Sequence, residues 1–98
     1  MKALDPIIHA QLRLAIMSVL TSVNKTDFNY LKEVTESSSG NLSVQINKLK
    51  DAGYVKVTKT FKNNYPLTEC AITKKGSSAF ETYCENLKSY FTKKNKNL

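Results

Sequence analysis

Arginine is nearly absent from this 98-residue chain: Arg13 stands alone beside fourteen lysines. Histidine occurs once, cysteine and proline twice each, glycine three times and tryptophan not at all. Each shortage excludes something. Zinc sites set ligands in pairs at short spacing, which Cys70, Cys84 and His9 do not supply. No metal or other cofactor is expected, and the two thiols read as reduced, mostly buried small hydrophobes. A nucleophilic triad needs a base with an orienting partner, and His9 has none that the sequence identifies. Glu81 and Glu85 stand four apart on a helix, the usual mark of a solvated face, and no glycine-rich phosphate loop occurs. An enzyme is therefore not expected. The longest apolar run, Leu14 to Met17, is far short of the roughly 20 residues that cross a bilayer. Asp5 and Pro6 interrupt any secretory signal at the N-terminus, so no membrane contact and a cytoplasmic location are expected.

What the chain has in excess is positive charge, and its placement is uneven. Residues 1 to 47 cancel, with Lys2, Arg13, Lys25 and Lys32 against Asp5, Asp27, Glu33 and Glu36. The whole formal charge of +7 thus lies beyond residue 47. Such a surplus suits a polyanion, because lysine neutralises phosphates and releases counterions, and it suits a merely soluble surface equally well. Lysine lacks the bidentate fork with which arginine reads guanine.

The hydrophobic pattern predicts one domain over residues 4–92 and a basic, fraying tail over 93–98. Asp5-Pro6 reads as a helix start, with the helix continuing to Val23. Ile8, Leu12, Ala15, Ile16, Val19 and Val23 fall on one face, and Ile7, Ala10, Leu14 and Met17 form a second stripe. A helix apolar on two sides must be covered on both, by a second subunit or by the C-terminal helix. Thr26-Asp27 caps a short helix through Thr35, carrying Phe28, Leu31 and Val34. A polar turn leads to a third helix from Ser39 to Asp51, ended by Gly53. Its inward stripe is Leu42, Ile46 and Leu49, so Gly40, Ser43, Val44, Asn47 and Lys48 project outward, with Asn41 at the edge. The period then changes to two: Tyr54 to Phe61 and Leu67 to Ile72 form a hairpin across a turn over residues 62–66. Thr73 caps a last helix with Phe80, Tyr83, Cys84, Leu87, Tyr90 and Phe91 at helical spacing.

Helix, short helix, helix, hairpin, helix is an α+β, mainly α plan: a winged helix-turn-helix with a two-stranded wing and a C-terminal dimerisation helix. Ser39-Gly40-Asn41-Leu42-Ser43, Ile46, Leu49, Ala52-Gly53-Tyr54-Val55, Lys59-Thr60-Phe61, Pro66, Thr68, Thr73, Gly76, Ala79-Phe80 and Tyr83 resemble the small winged-helix regulators of the MarR and ArsR groups. The resemblance implies a homodimer on the terminal helices, a third helix in the major groove, and a wing on the backbone or minor groove. Those regulators typically carry arginines beside the wing proline, where this chain has Asn63, Asn64, Tyr65 and Leu67. They tend to carry basic or imidazole side chains at Val44-Gln45, and the metal sensors among them have thiolate clusters that this chain lacks.

The expected function is sequence-specific binding of double-stranded DNA by a homodimeric transcriptional regulator. The expected DNA-binding residues on the third helix are Ser39, Asn41, Ser43, Val44, Asn47 and Lys48. On the wing they are Lys59, Lys62, Asn63, Asn64 and Tyr65, the lysines acting through phosphates. The expected dimer interface is Ile7, Leu14 and Met17 with Leu87, Tyr90 and Phe91. A protein-docking module on the same fold is the alternative, and an RNA-binding variant, with Tyr65 as a stacking platform, the third reading. No convergent polar cluster marks an effector site.

Overall fold

The structure is a computed structural model and describes residues 1–92; the expected tail at 93–98 lies outside the described residues. Four helices and three strands follow in the order α1 (Gln11–Val23), β1 (Lys25–Asp27), α2 (Phe28–Thr35), α3 (Ser39–Asp51), β2 (Val55–Lys62), β3 (Tyr65–Ile72) and α4 (Lys74–Thr92). The α+β, mainly helical winged-helix plan is thus present, with one strand more than expected.

That strand is β1. It pairs antiparallel with β3 from Lys25↔Ala71 to Asp27↔Glu69, so the sheet order is β1-β3-β2. Asn24 makes it possible: with a positive φ (69°, ψ −38°) it stops α1, and its carbonyl accepts from the Ile72 amide at 3.0 Å. Asparagine tolerates this conformation better than most residues.

The start of α1 also differs. Asp5 caps a single turn, accepting from the amides of Ile7 (2.8 Å) and Ile8 (3.4 Å). Ala10 then lies extended (φ −151°), and the helix proper begins at Gln11. Tertiary contacts hold this break in place. Ile8 is fully buried, and the Tyr54 hydroxyl donates to Asp5 Oδ2 at 2.5 Å. Upstream of the turn, the first residues run along α4: Tyr90 Oη donates to the Lys2 carbonyl at 2.8 Å, and Asn86 Nδ2 donates to that of Ala3 at 3.3 Å.

The other capping expectations hold. Asp27 accepts from the Tyr30 amide at 2.8 Å, and Thr73 Oγ1 accepts from the Gly76 amide at 2.9 Å. Ser38, one residue before the expected start, caps α3 by accepting from the Asn41 amide at 3.1 Å. Past the end of α3, Gly53 takes φ +82°, the region open to glycine. A side chain on Gly76 would meet the Tyr54 carbonyl oxygen at 2.1 Å, so only glycine lets α4 approach this turn.

One core joins the layers. α1 contributes Ile16, Met17 and Leu20, α2 contributes Leu31, and α3 contributes Leu42, Ile46 and Leu49; the sheet adds Val55 and Cys70 and α4 adds Tyr83. Met17 is thus core of a single chain and not surface for a subunit contact, because it shares the buried arc of α1 with Ile16 and Leu20. Val23 and Val34, expected inside, are 46% and 42% exposed. Burial pushes the Cys70 thiol up to about 11, with the Asp27 charge adding to it. The molecule measures 60 × 25 × 20 Å, with a radius of gyration of 15.3 Å. A compact chain of this length would have about 13 Å.

Candidate nucleic-acid interface

α3 sorts its side chains by angle. Leu42, Ile46 and Leu49 occupy the buried arc, and at about 100° per residue the opposite half divides into three rows. Ser39, Ser43 and Asn47 face the hairpin, Gly40, Val44 and Lys48 point straight out, and Asn41 and Gln45 face α1. All the expected reading residues on this helix are exposed.

The first row borders a cleft of about 370 Å³ between α3 and the hairpin. Phe28 closes its floor, and Val57, Lys59 and Thr68 form the far wall. The register explains that wall. Lys59 pairs with Thr68 and Val57 with Cys70, which places all four on the face that becomes the core further down. Lys59 therefore shares one continuous surface with Ser43 and Asn47. Lys62 lies on the opposite face of the hairpin with Tyr65, its register partner. The two wing lysines thus flank the ribbon.

The hairpin is tighter than expected. Its loop is only Asn63-Asn64, both left-handed (φ 51° and 67°), and Lys62, Tyr65 and Pro66 belong to the strands. This is the two-residue turn whose twist matches paired strands. Lys48, Lys59 and Lys62 are exposed and make no ion pair among the described residues, so each is available to an anion.

Arg13 is engaged elsewhere. Its guanidinium donates to the Ile7 carbonyl at 2.5 Å, to Gln45 Oε1 at 2.5 Å and to the Pro6 carbonyl at 3.4 Å. Gln45 Nε2 in turn donates to Asn41 Oδ1 at 3.1 Å. The only arginine thus ties the N-terminal turn to α3, and the expected reading residue Asn41 is part of that brace. Thr68, Phe28 and the Arg13–Gln45 contact were not expected from the sequence. Thr68 becomes legible once the turn is fixed at Asn63-Asn64, whereas the brace carries no local signal.

Of the residues expected at a dimer interface, Ile7, Leu14 and Leu87 are half-buried against the core, Tyr90 is 38% exposed and Phe91 64%. His9 Nδ1 and the Tyr83 hydroxyl lie 2.9 Å apart, and Phe80 stacks beside Tyr83. Burial raises the Tyr83 pKa, with Cys84 adding to the shift. Among the described residues no group of acidic, histidine or cysteine side chains could hold a metal ion. No helix among them is long and apolar enough to cross a membrane.

Comparison with known proteins agrees with this geometry. A transcriptional regulator homologue from Pyrococcus horikoshii OT3 superposes with a TM-score of 0.82 at 29% identity, over 87% of this chain and 84% of that one. An ArsR family transcriptional regulator superposes with a TM-score of 0.63 at 18% identity, over 87% of this chain and 88% of that one, and shares the fold. An uncharacterised protein of Methanocaldococcus jannaschii is 34% identical over 77 residues, 79% of this chain and 84% of its own length. The winged-helix plan expected from the sequence is borne out by these neighbours. Residues 12–91 match the model for the winged helix DNA-binding domain, and the chain belongs to that family.

Proposed function

We propose that this protein is a cytoplasmic transcriptional regulator that binds specific sites in double-stranded DNA as a homodimer. The observation that carries the reading is the shared surface of Ser43 and Asn47 on α3 with Lys59 on the wing. A major groove about 12 Å wide admits a helix with small and polar outward residues. Asn47 is suited to a bidentate contact with adenine, Lys48 to guanine acceptors or a phosphate, and the Val44 methyls to a thymine methyl. Lys59 and Lys62, on opposite faces of the ribbon, suit phosphates on the two sides of a groove.

The elongated shape and the apolar end of α4 support the dimer. Ile7, Leu14, Leu87, Tyr90 and Phe91 are the residues a second copy would cover, and Met17 drops out of that set because it is already core. Sedimentation equilibrium tests the assembly: a stable monomer at tens of micromolar, roughly the range that populates an obligate dimer, refutes it. Selection of bound duplexes from random DNA tests the reading itself. Enrichment of a two-fold symmetric site is expected, and retention of neither DNA nor RNA would favour a docking module instead.

A further inference from the structure

The two most exposed large apolar side chains apart from Met1 stand together at the tip of the wing: Tyr65 at 75% and Phe61 at 73%. They differ in direction. Phe61 pairs with Pro66 on the face shared with Lys59 and α3, while Tyr65 pairs with Lys62 on the reverse. In a two-residue hairpin the closing pair exchanges the hydrogen bonds, so the next pair, Phe61↔Pro66, is of the non-hydrogen-bonded kind, with its side chains close together. Proline's missing N–H is harmless at that position. The ring of Phe61 and the ring of Pro66 thus make one apolar blade beside the two-residue turn.

We propose that this blade is a wedge that enters the minor groove next to the major groove occupied by α3, and partly unstacks a base step there. The proposal rests on the DNA-binding reading above. Placement supports it. Phe61 stands two residues beyond Lys59, which lies beside Asn47, or about 7 Å at about 3.4 Å per residue, and the turn at Asn63-Asn64 is about 15 Å beyond Lys59. This end of the wing thus projects from the surface shared with α3 toward the neighbouring groove, about half a turn or roughly 17 Å away. A minor groove about 6 Å wide admits side chains at the tip and not the ribbon itself.

Chemistry supports it as well. Proteins that kink DNA from the minor groove insert phenylalanine, proline and similar apolar side chains between bases. The wing carries no arginine to follow the groove floor, yet it holds this apolar pair between two unpaired lysines on opposite faces. An apolar contact flanked by two rows of phosphates is what a duplex groove offers. The wedge also implies sequence preference without hydrogen bonds, because pyrimidine–purine steps unstack most easily. Bound sites should carry TA or CA at the wing position.

Permanganate attacks the thymines of unstacked steps and tests this directly on duplexes recovered by selection from random DNA. With the full-length protein, a reactive thymine should appear outside each half-site. Phe61→Ser should abolish that reactivity, and Phe61→Leu, another wedge residue, should retain it. Phe61 is exposed, so neither change disturbs the core, and circular dichroism checks the fold of each. If the duplex is bound but its thymines stay protected, or reactivity survives in Phe61→Ser, the wedge is wrong while the DNA reading stands. If selection recovers no duplex and the wild type binds single-stranded RNA instead, both fall together.

Discussion

Replacing Arg13 by methionine should unfold the protein more readily while leaving its electrostatic hold on DNA intact. Methionine keeps an unbranched stem, so the perturbation is the loss of the guanidinium. Two hydrogen bonds of 2.5 Å disappear, to the Ile7 carbonyl and Gln45 Oε1, and a third at 3.4 Å contributes little. A hydrogen bond to a charged group is worth roughly 1.5–3 kcal/mol. Both Arg13 and Gln45 are only half-buried, and water can replace part of what is lost. The sum is therefore placed near the low end, about 2–3 kcal/mol. For a domain of this size that lowers Tm by roughly 10–20 °C, read by calorimetry and by urea unfolding. Gln45→Ala in the Arg13→Met background should add little, with a coupling of about 1–2 kcal/mol in the double-mutant cycle. The salt dependence of binding to random duplex DNA should not move, because Arg13 neutralises no phosphate. Unchanged stability together with a salt slope reduced by about one would refute the reasoning and make Arg13 a DNA contact.

Asn47→Ala should cost about 1–3 kcal/mol on a selected site and leave binding to random DNA and thermal stability nearly unchanged; equal losses on both DNAs would remove Asn47 from the reading role. Lys59→Gln should weaken all duplexes alike and lower the salt slope by about one, and a change in the preferred site would contradict a phosphate role. Gly76→Ala forces a methyl to 2.1 Å from the Tyr54 carbonyl oxygen and should destabilise by about 3 kcal/mol, near the upper end for overpacking; wild-type stability in urea would show that α4 has room to shift. Alkali should weaken the fold: Cys70 rises from 9.0 to about 11 through burial and then the Asp27 charge, and Tyr54 from 10.0 to about 12 through its hydrogen bond to Asp5, burial and the Asp5 charge. Both hold their protons more tightly when folded, so their contributions are complete below pH 9 and are lost as pH rises toward 12. Urea midpoints should fall across that window and fall less steeply in Cys70→Ala, and parallel curves would exclude the thiol.

The parts of the fold that were legible in the sequence are those with local causes. Asp27 and Thr73 announce helix starts by their side chains, Gly53 announces a stop, and the switch from Leu42-Ile46-Leu49 spacing to alternation marks where α3 gives way to a strand. β1 could not be read this way. Lys25-Thr26-Asp27 has no apolar alternation, and it becomes a strand only because β3 offers it a free edge. The break at Ala10 is similar: Asp5-Pro6 does start a turn, but contacts with Tyr54, the core and Arg13 decide that the turn is not continued. Met17 is a different case: it lies beside Ile16 and Leu20 on α1, and only the packing decides how wide the buried arc of a helix apolar on two sides is. At the candidate site, the helical period alone separated the outward residues of α3 from its core, whereas the division of Lys59 and Lys62 between two faces needed the register, and the register needed the two-residue turn at Asn63-Asn64.

The short β1 has a consequence for how the wing moves. It covers β3 only from Glu69 to Ala71, so the root of the hairpin is the middle of a three-stranded sheet and the tip is a free two-stranded ribbon. Amide protons near Cys70 should exchange slowly, and those around Asn63-Asn64 within a much shorter time. Only the outer half of the wing then loses conformational freedom when it settles on a partner, while its base, already fixed by β1, transmits the direction of approach from the helical body.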